Sequence, residues 1–207
     1  MQRARPPHAA VEPPHEDSYI AIMSSATLIE PPPAQADALL SILIAPHAAL
    51  KARARPVRDA DADVVRDLVP RLLATMYQAP GIGLAAPQVG LKLRVAVVDL
   101  QPDNARTPIA LINPEVVAAS DELATREEGC LSLPGQYADV TRPARVKVRY
   151  QDVTGARREI EADGLLSACL QHEIDHLDGI LFVDRLSALK RNMILRRLAK
   201  EMRQKAN

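Results

Sequence analysis

Gln171-His172-Glu173-Ile174-Asp175-His176 carries an H-E-x-x-H pattern, the densest chemistry in this chain. On a helix His172 and His176 stand one turn apart, so both imidazoles can reach one cation on the same face. Glu173, beside the first of them, can serve as base toward a water activated by that cation. The plain alternative is a solvated helix that happens to carry two histidines, but Leu170, Ile174 and Leu177 on its flanks place it in the core. A tetrahedral catalytic site asks for three protein ligands and one open position. Downstream of His176 there is no histidine, and Glu201 is the only glutamate. That turns attention upstream, to Cys130 in Glu127-Glu128-Gly129-Cys130-Leu131-Ser132-Leu133-Pro134-Gly135, where a thiolate from a loop flanked by glycines and proline could complete a Cys-His-His set. Cys169, three residues before His172, is the competitor, and as a small apolar residue in a helix it reads as core. Spacing alone leaves both cysteines open.

A third segment is Gly81-Ile82-Gly83-Leu84-Ala85-Ala86-Pro87-Gln88-Val89-Gly90. Gly81 and Gly83 allow backbone to approach a ligand closely, and Gln88 supplies an amide donor. No Lys-Ser/Thr follows and no helix opens after it, so it is not a phosphate loop. Taken alone it reads as a turn before a strand.

The elements that must position these residues come from a chain of 207 residues, 47% hydrophobic and 25% charged, with 26 basic and 26 acidic side chains. That length suits one domain with a tail. The neutral total excludes a protein whose whole surface is basic. No apolar run approaches the roughly 20 residues that span a bilayer, and two cysteines cannot build a disulfide framework. Aromatics make up only 2%, so the core must be Leu, Ile, Val and Ala. Residues 1–40 hold seven of the 17 prolines without a hydrophobic period and read as a poorly ordered extension, with Met23 a candidate true start. Residues 41–207 read as the folded domain. The spacing predicts a helix over 59–76, with Val64, Val65, Leu68, Val69, Leu72, Leu73 and Met76 on its apolar face and Pro70 kinking or dividing it. Residues 93–100 and 109–117 read as strands separated by Pro102, Asp103 and Asn104. Residues 144–152 alternate as a half-exposed strand, turn at Asp152-Val153-Thr154-Gly155, and return over 157–161. Asp163 can cap a helix from 164 to about 177 that Gly179 stops, with Leu165, Ala168, Cys169, His172 and His176 on one face. A last helix, 187–203, places Leu189, Met193, Leu195, Leu198 and Met202 on its apolar side. The order of elements points to a single α+β domain, with sheets packed around a central helix carrying the H-E-x-x-H residues and a helix at the C-terminus.

Together, GIGLAAPQVG, EEGCLSLPG and QHEIDHLDG, in that order and roughly 40 residues apart, resemble the three motifs of the peptide deformylases. The likeness spans about 41–203. It implies removal of the N-formyl group from the N-terminal formylmethionine of newly made polypeptides, with release of formate. It implies Cys130, His172 and His176 as metal ligands, leaving Cys169 as a core residue near the substrate pocket. Glu173 would be the base, while the Gln88 amide and the Leu131 N–H would hold the developing oxyanion. Backbone at Gly83 would pair with the substrate peptide, which a Cβ there would obstruct, and Ile82, Leu165, Ala168 and Cys169 would receive the methionine side chain. Fe²⁺ is the implied ion, with Zn²⁺, Ni²⁺ or Co²⁺ as substitutes; two imidazoles and a thiolate suit all four. Glu128 and Arg142 match an acidic and a basic position that pair in the family, and Tyr137 stands where many members have a basic residue.

The C-terminal helix carries Lys190, Arg191, Arg196, Arg197, Lys200, Arg203 and Lys205 against the single acid Glu201. Resemblance to the Gram-negative branch implies contact with ribosomal RNA through this helix, in the cytoplasm, where nascent N-formylmethionyl peptides emerge. Two other readings remain: an H-E-x-x-H metallopeptidase cutting internal peptide bonds, and a metal-binding or ribosome-associated relative without turnover. The missing downstream ligand and the Cys130 segment weigh against the first, and the intact Glu173 against the second.

Overall fold

The computed structural model describes residues 39–102 and 105–205. The Pro-rich extension up to residue 38, Met23, and the Asp103-Asn104 separator lie outside the described residues. A 3₁₀ turn, Asp59–Asp61, leads into helix α1, Ala62–Gln78. Val65, Leu68, Val69, Leu72, Leu73 and Met76 are buried along one face of α1, as their spacing predicts, whereas Val64 is 46% exposed. Pro70 does not divide the helix. A proline deletes one hydrogen bond of the ladder, and the buried face on either side of it holds the helix continuous.

Among the described residues, seven strands follow in two antiparallel sheets. The larger has the order β1 (Gly83–Ala85), β2 (Val95–Val98), β3 (Ile109–Ala119), β6 (Arg145–Gln151), β7 (Arg157–Asp163). Its partner is the hairpin of β4 (Leu123–Cys130) and β5 (Leu133–Pro143). The expected strands are present, and the Gly81–Gly90 segment, read from sequence as a turn, contributes the short strand β1 and a 3₁₀ turn, Ala86–Val89. The segment around Cys130 differs more. It is no loop: Cys130 ends β4, and only Leu131 and Ser132 separate it from β5. β2 is apolar without alternation because both faces of the sheet are covered. Val95 and Val97 pack against α1, while Val98 joins the cluster on the other face.

Helix α2, Gly164–Leu177, occupies that second face, with Leu166, Cys169, Leu170 and Ile174 against Val98, Leu111, Val148 and Ile160. Asp163 precedes it in extended conformation, but its side chain makes no capping bond. The stop is as expected: Gly179 has φ +75°, and a Cβ there would lie 2.6 Å from the carbonyl oxygen of Lys51. A third cluster joins Leu133 and Val140 of the hairpin to Phe182, Val183 and Leu198. Leu198 belongs to helix α3, Ala188–Lys205. The apolar side of α3 is Ile194, Leu195 and Leu198; Leu189 and Met193 are 72% and 58% exposed, and Met202 also lies at the surface. Among the described residues, no helix is long and apolar enough to cross a membrane.

Candidate metal centre

Three elements converge. β4 delivers Cys130 at its end, α2 delivers His172 and His176 from its buried C-terminal half, and the turn after β1 delivers Gln88. One ligand atom each from Cys130, His172 and His176 lies within 4.8 Å of the others. Cys130 Sγ sits 3.2 Å from His176 Nε2, and the two imidazoles meet edge to face with centroids 4.9 Å apart. Cys169 is not in this group; its buried thiol donates to the Ile82 carbonyl.

The second nitrogen of His172, Nδ1, lies 2.9 Å from Glu128 Oε2. Glu128 and Arg142 form the expected pair, now with its full geometry: Arg142 Nε and Nη2 donate to the two oxygens of Glu128 at 2.6 and 2.9 Å, while Nη1 donates to Asp175 Oδ2 at 2.7 Å. Burial opposes the charged form of Glu128, and the bonds from Arg142 and His172 overcome it to hold the carboxyl at about 2. Carboxylate–imidazole contacts of this kind fix ring orientation and tautomer at metal sites. Burial likewise works against a charged His172, but Cys130 and Glu128 overcome it and raise its pKa to about 10. His176, desolvated and beside a charged His172, is pushed well below its usual value. Among the described residues, His176 Nδ1 and Glu173 Oε2 are buried without a hydrogen-bond partner. A donor set of one thiol and two imidazoles converging beside a buried, unpartnered carboxyl oxygen fits a first-row divalent metal.

Glu173 is 4% exposed, and burial pushes its carboxyl up to about 7, against the lowering influence of His172 and Arg142. Its position explains Gly83 differently from the sequence expectation. A Cβ on Gly83 would lie 2.3 Å from Glu173 Oε1, so the glycine makes room for the carboxylate. Gln88 is fixed at both ends: Oε1 accepts from the Ala85 N–H at 2.8 Å, and Nε2 donates to Ser132 Oγ at 3.2 Å and lies 3.5 Å from Cys130 Sγ.

A cleft of about 570 Å³ opens over this centre. Ile82, Gly83, Gln88, Cys130, Leu131, Leu165, Ala168, Cys169, His172 and Glu173 all line it, so the structure gathers every sequence-nominated site residue except His176, which is 1% exposed behind the wall. Tyr137 lies at the cleft, 63% exposed, with its ring where a Cβ of Gly129 would be. Sequence reasoning missed Ser132 and Asp175. A serine inside a motif and an aspartate at a variable position of H-E-x-x-H carry no signal of their own; burial alone distinguishes them.

The sequence profile of the family described as polypeptide deformylase matches residues 39–192. The chain is 52% identical over 166 residues to the peptide deformylase of Methylocella silvestris, covering 78% of this chain and 84% of that protein. It is 47% identical over 165 residues to that of Agrobacterium fabrum, covering 79% and 96%. Among solved structures, a peptide deformylase from Legionella pneumophila superposes with a TM-score of 0.76 at 44% identity, covering 82% of this chain and 98% of that one. One from Synechococcus elongatus, in complex with actinonin, gives 0.71 at 42% identity, covering 83% and 90%.

Proposed function

The chain belongs to the peptide deformylase family, metal-dependent hydrolases that remove the N-formyl group from N-formylmethionyl peptides, and on that premise we propose which residues carry the reaction. Cys130, His172 and His176 hold the metal ion. The observation that carries this is the meeting of their three donor atoms within 4.8 Å beside a buried carboxylate with an unpartnered oxygen. Fe²⁺ is the proposed native ion, with Zn²⁺, Ni²⁺ or Co²⁺ as substitutes. When bound, such an ion supplies Lewis acidity toward water and the formyl carbonyl.

Glu173 takes a proton from the attacking water and returns it to the departing amine; a carboxyl near 7 is suited to both directions. The Gln88 amide, pinned by Ala85, and the Leu131 N–H at the turn after Cys130 face the oxygen on which charge develops. β1 is an edge strand of its sheet, so an extended peptide can add alongside Gly83. Ile82, Leu165, Ala168 and Cys169 then receive the methionine side chain, which is unbranched and apolar. Formate release from formyl-Met-Ala-Ser by protein prepared anaerobically with Fe²⁺ tests this, beside Glu173→Ala and a Zn²⁺-loaded sample. Wild-type turnover that vanishes in the variant, with metal retained, is expected. A variant that still turns over would remove Glu173 from the role.

We propose that the enzyme acts in the cytoplasm, where new chains emerge, and that the exposed basic face of α3 contacts ribosomal RNA. Arg196, Arg197 and Lys200 are exposed on it. Reversing these three charges should abolish salt-sensitive co-sedimentation with ribosomes and leave formate release intact, whereas deleting 191–207 would also remove buried Leu198. Unchanged co-sedimentation of the charge-reversed protein would dismiss the contact.

A further inference from the structure

Arg185 ends the 3₁₀ turn Phe182–Arg185, outside the substrate cleft and outside the motifs. Its side chain is 40% exposed, on a separate cleft of about 900 Å³ that it lines with Arg53, Arg94 and Asp178. From there it reaches inward to Asp175, whose side chain is 8% exposed. Arg185 Nη2 donates to Asp175 Oδ1 and Nε to Oδ2 at 2.6 Å, so both carboxylate oxygens are engaged. Asp175 Oδ2 also accepts from Arg142 Nη1. The bonds therefore run unbroken from a solvent-reachable guanidinium through Asp175, Arg142 and Glu128 to Nδ1 of His172.

The geometry of that chain has a consequence. Arginine and carboxylate prefer to pair two-pronged. Arg142 faces two carboxylates, and it gives two prongs to Glu128 and one to Asp175. Asp175 takes one, at Oδ2, while Arg185 holds both of its oxygens in a fork. Without Arg185 the carboxylate of Asp175 is free to turn and draw Arg142 away from Glu128, and Glu128 is the group that orients His172. We infer that Arg185 is a positioning residue for the metal centre, holding Asp175 so that Arg142 keeps its fork on Glu128 and the His172 imidazole keeps its orientation. This rests on the proposal that His172 is a ligand. An exposed ion pair is ordinarily worth little; this one matters because its acidic half is buried and shared.

The test uses full-length protein loaded with Co²⁺, comparing wild type, Arg185→Ala, Arg185→Lys and Arg53→Ala. Arg53 lines the same cleft but, among the described residues, pairs with Asp178 alone, at 3.5 Å, so its variant controls for loss of surface charge. Metal affinity is read by competition with a chelator, ligand geometry by the visible absorption of Co²⁺, and turnover by kcat and KM separately. Partners beyond the ligands typically govern affinity by about 10- to 100-fold. Arg185, further out, should give about 10-fold weaker Co²⁺ binding when replaced by alanine, altered absorption bands, and a lower kcat at unchanged KM. Lysine keeps the charge but not the fork and should fall between, about threefold weaker; Arg53→Ala should match wild type. Wild-type or tighter affinity with an unchanged spectrum in Arg185→Ala overturns the inference. If that variant does not fold, the same wild-type values in Arg185→Lys overturn it. A wild-type protein that takes up no Co²⁺ would instead sink the ligand assignment itself, and the inference with it.

Discussion

Gly83→Ala separates two accounts of why a glycine occupies the start of β1. Gly83 is not among the positive-φ glycines, so alanine fits its backbone without strain. The added methyl, however, would meet Glu173 Oε1 at 2.3 Å and Cδ at 2.8 Å, against an ordinary contact of 3.4 Å or more. The carboxylate must withdraw by about 1 Å, and a misplacement of that size at a reacting group costs about 100-fold in rate. Glu173 is 4% exposed, and the space its carboxylate could withdraw into is the cleft itself, so the shift moves it away from its place beside β1. We expect kcat for formate release to fall about 100-fold, with KM and metal content little changed. If the glycine instead served only the approach of the substrate backbone, KM would rise and kcat would hold. A wild-type kcat in Gly83→Ala, with the metal bound, would refute the placement of Glu173 against β1.

Arg142→Met leaves Glu128 and Asp175 buried with their shared cation gone; breaking a buried pair on one side costs about 3–5 kcal/mol, which urea unfolding should show, and an unchanged midpoint would contradict the network. Asp152 is buried in the β6–β7 turn, yet bonds from Thr154 and Arg158 hold its carboxyl at about 2, below the unfolded value of 3.8. Its stabilisation, about 1 kcal/mol after allowance for screening, is present above about pH 4 and lost as the pH falls through about 2. The stability difference between wild type and Asp152→Asn should therefore shrink on acidification, and a pH-independent difference would count against the assignment. Leu198→Ala should cost about 2–4 kcal/mol by opening the core under α3, whereas Leu189→Ala, at a position 72% exposed, should stay within about 0.5 kcal/mol. Equal effects would mean that the helix packs by another face.

Much of this was legible beforehand. The end of α2 followed from Gly179 and its start from Asp163, although that side chain makes no capping bond, and the strands followed from runs of Val and Ile, because those signals are local. The β4–β5 hairpin was not legible. Thr125-Arg126-Glu127-Glu128-Gly129 has the composition of a solvated loop, and nothing in the sequence shows that Glu128 points inward to an arginine 14 residues away. The apolar side of α3 was only partly legible: Leu195 and Leu198 lie on it as expected, but Leu189 and Met193, though helically spaced, are exposed, because the hairpin and the Phe182 turn decide which face is covered. Asp175 and Arg185 escaped because a charge in a buried network is indistinguishable, by residue type, from one on a surface.

Cys130 and His176 are 46 residues apart and belong to a hairpin and a helix with no backbone in common. In the unfolded chain, bringing those ends together would cost about 4 kcal/mol of loop entropy, a cost the packed fold has already met. A divalent ion held by both segments therefore binds the folded protein far better than the unfolded one, and by mass action it raises the melting temperature with its own concentration. Losing the ion therefore lowers the stability of the fold, so oxidation of Cys130, the proposed ligand, would also remove a clasp between the β4–β5 hairpin and α2.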